Sequence, residues 1–152
     1  MLIQYRKAVY YFYLVFCIIY VACNTQEIPK CKYLIHGSPG FTVDNIDSVC
    51  KRMSQLPDRG IELYIYVSNE LPENEKNISY SVLRPDSRGA ILFVSFVSKK
   101  FTTIFSDSLK ADNQLANRYE FDRSVFEQLK KPVSTLFFYN VIDTFAIKFG
   151  KQ

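Results

Sequence analysis

The pattern of hydrophobic and polar residues divides the first half of the domain into strand, helix and strand. Compact apolar runs at 32–37 and 61–68 are typical of buried strands, because β-branched and aromatic residues pack well on a pleated surface. Between them, apolar residues recur at helical spacing, and Pro57 and Gly60 end that helix. Thr42 or Asp44 can cap its beginning, since both offer a side-chain oxygen to free N–H groups. The helical stripe consists of Ile46, Val49, Cys50 and Met53.

The middle of the chain has a weaker pattern. Residues 69–76 form an acidic loop or the beginning of a polar helix, and residues 77–84 fit no single element. The run 90–97 fits a strand or a buried helical turn, because periodicity does not separate the two over so short a segment. We further predict a strand at 102–105, polar helical or irregular structure at 108–123, and a short helix at 124–131.

The last segment predicts a pair of strands, 134–139 and 144–149, joined by 140–143 as a hairpin. A β-α-β beginning followed by a closing antiparallel hairpin predicts one α/β domain over residues 32–152. An α+β fold with a mainly antiparallel sheet is the structural alternative.

Residues 1–22 have the pattern of a signal peptide. Met1–Lys7 carries two positive charges, and residues 8–22 contain no charged residue. This apolar run of 15 residues is shorter than the roughly 20 that a membrane-spanning helix needs. The predicted organisation is therefore a signal peptide at 1–22, a polar tether at 23–31 and the domain at 32–152.

The end of this leader resembles a bacterial lipobox. Ala22 directly precedes Cys23 at the close of the apolar run, and polar residues follow at once. Tyr20 stands where the lipobox has Leu. The resemblance implies lipid attachment at Cys23, a membrane as partner, and a place in the cell envelope facing the periplasm or the exterior. A secreted protein and an uncleaved anchor are the alternatives.

Two segments resemble thioredoxin-like lipoproteins of the envelope. Residues 33–44 (YLIHGSPGFTVD) lie where that family has a strand, a Ser-Pro-type turn and a Cys-x-x-Cys motif opening a helix. Residues 132–138 (PVSTLFF) are similar to the segment before its last hairpin, with Thr135 displaced by two residues. By position the redox cysteines fall at Phe41 and Asp44, and neither is a cysteine. The resemblance therefore implies a thioredoxin-like fold that is redox-inactive and acts as a binding or accessory module.

Cys31 and Cys50 are the other cysteines of the predicted mature chain. An exported protein can join them in a disulfide. However, a strand starting at residue 32 and a returning helix would offset the two by on the order of 10 Å. That offset favours Cys50 as a buried apolar residue of the helical stripe. A thiol oxidoreductase working through Cys31 or Cys50 is the enzymatic alternative.

No other residues form a recognisable catalytic or metal-binding motif. His36 is the only histidine and lies in an apolar strand, so we predict a structural role for it. Zinc ligation by Cys31, His36 and Cys50 would have no recognised spacing. The acidic loop that contains Glu70 and Glu73 lacks the glycine-containing pattern of a calcium loop. We therefore predict no catalytic residue, no metal and no cofactor.

Charge argues against a nucleic-acid partner. Without Arg6 and Lys7 the 19 basic residues become 17 against 15 acidic ones, a net charge of +2. These basic residues are scattered rather than gathered in a stripe, which nucleic-acid binding usually requires. The predicted partner is an unidentified protein, and an immunity or inhibitor-type protein is a further alternative.

Overall fold

A four-stranded mixed sheet organises the part of the chain that the computed structural model describes, residues 31–37, 45–111 and 115–151. The first three strands are parallel, and the fourth is antiparallel to the third. All described residues belong to one compact unit, Cys31–Gln152. The strands lie side by side in chain order: β1 Leu34–His36, β2 Glu62–Ser68, β3 Gly89–Ser95 and β4 Lys100–Phe105.

Two unequal layers of helix cover the sheet. Helices α1, α4 and α5 share one apolar cluster with Leu63 and Leu92, which point to what we call the first face. Helix α2 packs against Ile91 and Phe93, which point to the second face. Within the described ranges, no helix combines the length and apolarity needed to cross a bilayer. The helices are α1 Ile46–Ser54, α2 Glu75–Val82, α3 Asp107–Ala111, α4 Leu115–Leu129 and α5 Thr135–Phe149.

Aromatic rings join the α4–α5 pair to the sheet. The ring centroid of Phe145 lies 5.4 Å from that of Phe121 and 4.9 Å from that of Phe149. Phe149 in turn lies 5.6 Å from Phe105 at the end of β4. Tilted and edge-to-face pairs at these distances add favourable ring–ring energy to the gain from apolar burial. This cluster fixes the two long helices on the first face.

A polar contact also connects α4 to the edge strand β4. The hydroxyl of Thr103 donates a hydrogen bond of 2.7 Å to the carboxyl group of Asp122. Burial raises the pKa of Asp122, while the Thr103 hydrogen bond and the charge of Arg118 oppose that rise. The ionised carboxylate is therefore less favourable here than in the unfolded chain.

The general α/β class is confirmed, as are the predicted strand, helix and strand at the beginning of the domain. The ambiguous residues 77–84 contain most of helix α2, and the run 90–97 lies largely in strand β3. The alternative of a mainly antiparallel sheet is wrong, because β1–β2 and β2–β3 both pair in parallel. An antiparallel hairpin is present, but it joins β3 to β4.

The predicted C-terminal hairpin is wrong, because residues 135–149 form the single helix α5. The apolar residues of this segment repeat with the period of a helix, in adjacent pairs four residues apart. Ser134 occupies the N-cap position and Gly150 the C-cap position of α5. The buried residues of α5 are Phe137, Phe138, Val141, Ile142, Phe145, Ala146 and Phe149.

Alanine substitutions distinguish this helix from the hairpin. Phe145 is 0% exposed and Ile147 is 72% exposed, whereas a strand would place both on the same face. We expect Phe145→Ala to lower the free energy of unfolding by about 3–5 kcal/mol. Ile147→Ala should change it by about 0.5 kcal/mol or less. Urea denaturation measures both, and similar losses for the two variants would contradict the helix.

The environment of Asp122 predicts a pH-dependent contribution to stability. Because its folded pKa is raised, the folded state holds this proton more tightly than the unfolded state does. Stability from this group is present at acid pH and is lost as the pH rises through the folded pKa. We therefore expect Asp122→Asn to become more stable relative to wild type as the pH rises from acid to neutral.

Urea denaturation from pH 3 to pH 7 measures this difference. The asparagine retains an oxygen that can accept the Thr103 hydrogen bond. Glu73→Gln in an exposed loop serves as the control, since it also removes one carboxylate. The prediction is wrong if the difference in free energy of unfolding between Asp122→Asn and wild type changes with pH no more than it does for the Glu73→Gln control.

Candidate functional site

A disulfide joins Cys31, just before β1, to Cys50 in the middle of α1. Their Cα atoms lie 5.6 Å apart, so the sequence-based offset of about 10 Å was wrong. The reason lies in residues 32 and 33, which form a turn instead of extending the strand. The Leu34 N–H donates to the Cys31 carbonyl at 3.2 Å, and this turn brings Cys31 beside α1. Cys50 is half-buried rather than enclosed in the core.

Several predicted site residues lie outside the described residues. Cys23, Phe41 and Asp44 belong to this group, so the lipid attachment and the vacant redox positions stay predictions. His36 is exposed at the end of β1. Within 31–37, 45–111 and 115–151, no three His, Cys, Asp or Glu side chains group as metal ligands would.

A groove of about 160 Å³ lies on the second face, between α2 and the end of β4. Its floor is apolar and consists of the side chains of Leu83 and Ile104. Its rim carries both cations and hydroxyl groups. The exposed rim residues are Lys76, Tyr80, Arg84, Pro85, Asp107 and Lys110, and the buried Ser79 and Ser106 complete the lining.

Residues of α2 and of the segment that follows it form one side of the groove. Lys76 and Tyr80 lie four residues apart and so share one side of α2. The helix ends at Val82, Leu83 is extended, and Arg84 lines the groove from the segment that follows. Tyr80 is 78% exposed, which is unusual for a large aromatic side chain. The sequence reasoning missed the Lys76–Tyr80 pair because it left residues 77–84 unassigned. A helical assignment there would have revealed it.

Backbone contacts at the start of β3 fix the β4 side of the groove. The Ser106 N–H donates to the Gly89 carbonyl at 2.8 Å, and the Gly89 N–H donates to the Ser106 hydroxyl oxygen at 3.1 Å. A Cβ atom on Gly89 would lie 3.1 Å from both the Glu62 carbonyl oxygen and a Leu83 methyl carbon. Glycine is therefore the residue that fits easily at position 89, where the Leu83 side chain packs against the sheet.

The groove has an excess of positive charge. Lys76, Arg84 and Lys110 line it together with the carboxylate of Asp107. Lys110 pairs with Asp107 at 3.0 Å, but both side chains are exposed and such pairs contribute little. The Arg84 side chain is 75% exposed and lies 3.9 Å from the Glu62 carboxylate. These cations are thus accessible to an anionic ligand from solvent.

The tyrosines on the second face of β2 are less available for binding. Tyr64 contacts Tyr33 at a ring-centroid distance of 5.5 Å, and Tyr66 contacts Phe93 at 5.3 Å. A Cβ atom on Gly37 would meet the Tyr66 ring, so that ring also covers the backbone after β1. Burial raises the pKa of Tyr64, with a smaller contribution from the Glu62 carboxylate. These rings belong to the packing of the sheet.

Comparison with known proteins relates the chain to one solved fold. No protein-family model and no curated protein matches it. Its structure is similar to the NMR structure of the BA42 protein from the psychrophilic bacterium Bizionia argentinensis, with a TM-score of 0.51. The match covers 76% of this chain and 89% of BA42 at 10% sequence identity. At that identity the likeness shows the fold alone.

Removal of the disulfide should destabilise the domain. The bridge spans a sequence separation of 19 residues, for which loop-closure entropy predicts about 3 kcal/mol. We expect the double variant Cys31→Ser, Cys50→Ser to lose about that much free energy of unfolding in urea. Wild type in reductant should behave like this variant, and the variant itself should not respond to reductant. Identical unfolding curves for oxidised and reduced wild type would contradict the prediction.

Proposed function

We propose that this chain is an exported α/β module, tethered to a membrane through Cys23, that binds a partner rather than catalysing a reaction. The Cys31–Cys50 disulfide is the observation that supports export most directly. Disulfides persist in oxidising compartments and are rare in reducing ones. The leader pattern of residues 1–22 independently favours the same compartment.

The placement of the disulfide supports a structural role for it. A thioredoxin-type redox site needs a low-pKa thiolate at a helix N-terminus and a second thiol close by in sequence. Cys50 is instead the fifth residue of α1, and its partner is 19 residues away. This arrangement favours a redox-inactive module over a thiol oxidoreductase.

A thioredoxin-like relationship is the finer form of the proposal. The parallel β1–α1–β2 beginning supports it. The second segment that suggested the family, residues 132–138, leads into helix α5 instead of a hairpin and gives no support. We therefore base the proposed function on the disulfide and the leader, and not on this relationship.

Intact mass of the protein from a membrane fraction tests the tether. We expect a mature chain that starts at Cys23 and carries acyl groups, with both features lost in Cys23→Ala. Alkylation with and without reductant in the same samples should label Cys31 and Cys50 only after reduction. An unmodified mass would indicate a secreted or signal-anchored protein. Alkylation without reductant would remove the main support for export.

A turnover assay separates this proposal from its enzymatic alternative. The binding module should not accelerate insulin reduction, with or without Cys50. Activity in wild type that disappears in Cys50→Ala would instead identify a thiol oxidoreductase. One stable protein partner, recovered equally with the Cys23→Ala variant, would favour the immunity or inhibitor-type alternative.

A further inference from the structure

The groove and the beginning of the domain lie at the same end of the strands. Because β1, β2 and β3 are parallel, their first residues lie at the same end of the sheet. The antiparallel strand β4 finishes at that end. Cys31 lies at this end of the strands, separated from β1 by the turn at residues 32 and 33. The groove is built from residues just before β3 and just after β4.

Chain length keeps Cys31 close to the proposed membrane attachment. Seven residues lie between Cys23 and Cys31, and the eight Cα–Cα steps of a fully extended chain span at most about 29 Å. With Cys23 held at a membrane, the strand ends that border the groove are therefore within reach of the bilayer.

The lining of the groove combines two properties. Lys76, Arg84 and Lys110 supply positive charge at the rim, and Leu83 and Ile104 supply an apolar floor. A small inorganic anion would use the cations but gain nothing from the floor. An amphiphile with an anionic head would use both. The exposed Tyr80 fits the same surroundings, since tyrosine favours the membrane–water interface.

We propose that this groove binds the head group of an anionic phospholipid in the membrane to which the chain is tethered. The phosphate contacts Lys76, Arg84 and Lys110, and the adjoining glycerol and first methylene groups lie on Leu83 and Ile104. Attraction of basic side chains to an anionic leaflet falls off within about 10 Å, so it acts on the groove only when the groove lies at the membrane surface. This inference rests on the proposed function for its membrane, but binding in the groove is measured separately from the tether.

Lysine labelling on the full-length protein tests the proposal with internal controls. The protein is mixed with vesicles of phosphatidylcholine alone or with phosphatidylglycerol added, in phosphate-free buffer, and acetylation of each lysine is followed by mass spectrometry. We expect labelling of Lys76 and Lys110 to slow about fivefold or more with phosphatidylglycerol. Lys51, Lys100 and Lys131 are also exposed but lie outside the groove, and their rates should change less than twofold.

A matched pair of variants separates groove binding from general charge attraction. Arg84→Gln removes a groove cation without removing a labelled residue, so it should largely abolish the protection of Lys76 and Lys110. Arg123→Gln removes the same charge from an exposed position on α4 and should leave the protection intact. Equal effects of the two variants would overturn the proposal.

Three further outcomes would also overturn it. Equal protection of all five lysines would indicate non-specific attraction to the anionic surface. Equal protection in both kinds of vesicle, or in neither, would exclude recognition of an anionic head group. The same protection from inorganic phosphate with neutral vesicles would assign the groove to a free anion. Because the assay detects binding of lipidated and unlipidated protein alike, failure of the tether and failure of the groove remain distinguishable.

Discussion

The complete burial of β3 is the constraint on which the arrangement of the other elements depends. All seven residues of Gly89–Ser95 are buried, so the strand must be covered on both faces and paired at both edges. β2 and β4 supply the pairing, one parallel and one antiparallel. Parallel β2–β3 pairing in turn requires a crossover connection, and helix α2 provides it on the second face. The large first-face layer of α1, α4 and α5 completes the cover.

The unequal cover of the two faces explains why the groove lies where it does. Helices α1, α4 and α5, together with Leu109 of α3, bury the first face, whereas the eight-residue helix α2 is the main cover of the second. A helix of that length spans about 12 Å and leaves part of β4 without apolar cover. Ile104 is accordingly half-buried and lines the groove. Polar side chains from α2 and α3 border this gap.

The sequence predicted elements correctly where its pattern was unambiguous, as in the continuous apolar run of β2 and the helical spacing of α1. It failed at 135–149 because adjacent aromatic pairs such as Phe137-Phe138 resemble the continuous apolar run of a buried strand. Only the four-residue interval between successive pairs indicates a helix. The disulfide was missed for a local reason, since a turn at residues 32 and 33 shortens β1. The groove was missed because it depends on α2 and on pairing between distant residues, neither of which local pattern specifies.

The disulfide and the proposed tether have a mechanical relationship. β1 is a three-residue edge strand that pairs with β2 alone, so it has the shortest pairing of the four strands. It is also the element through which a pull from Cys23 would reach the domain. The bridge to Cys50 transfers such a pull to α1 before it reaches the hydrogen bonds of β1. Helix α1 is anchored in the core by Val49 and Met53, so such a pull would act on buried apolar packing rather than on the short β1 ladder.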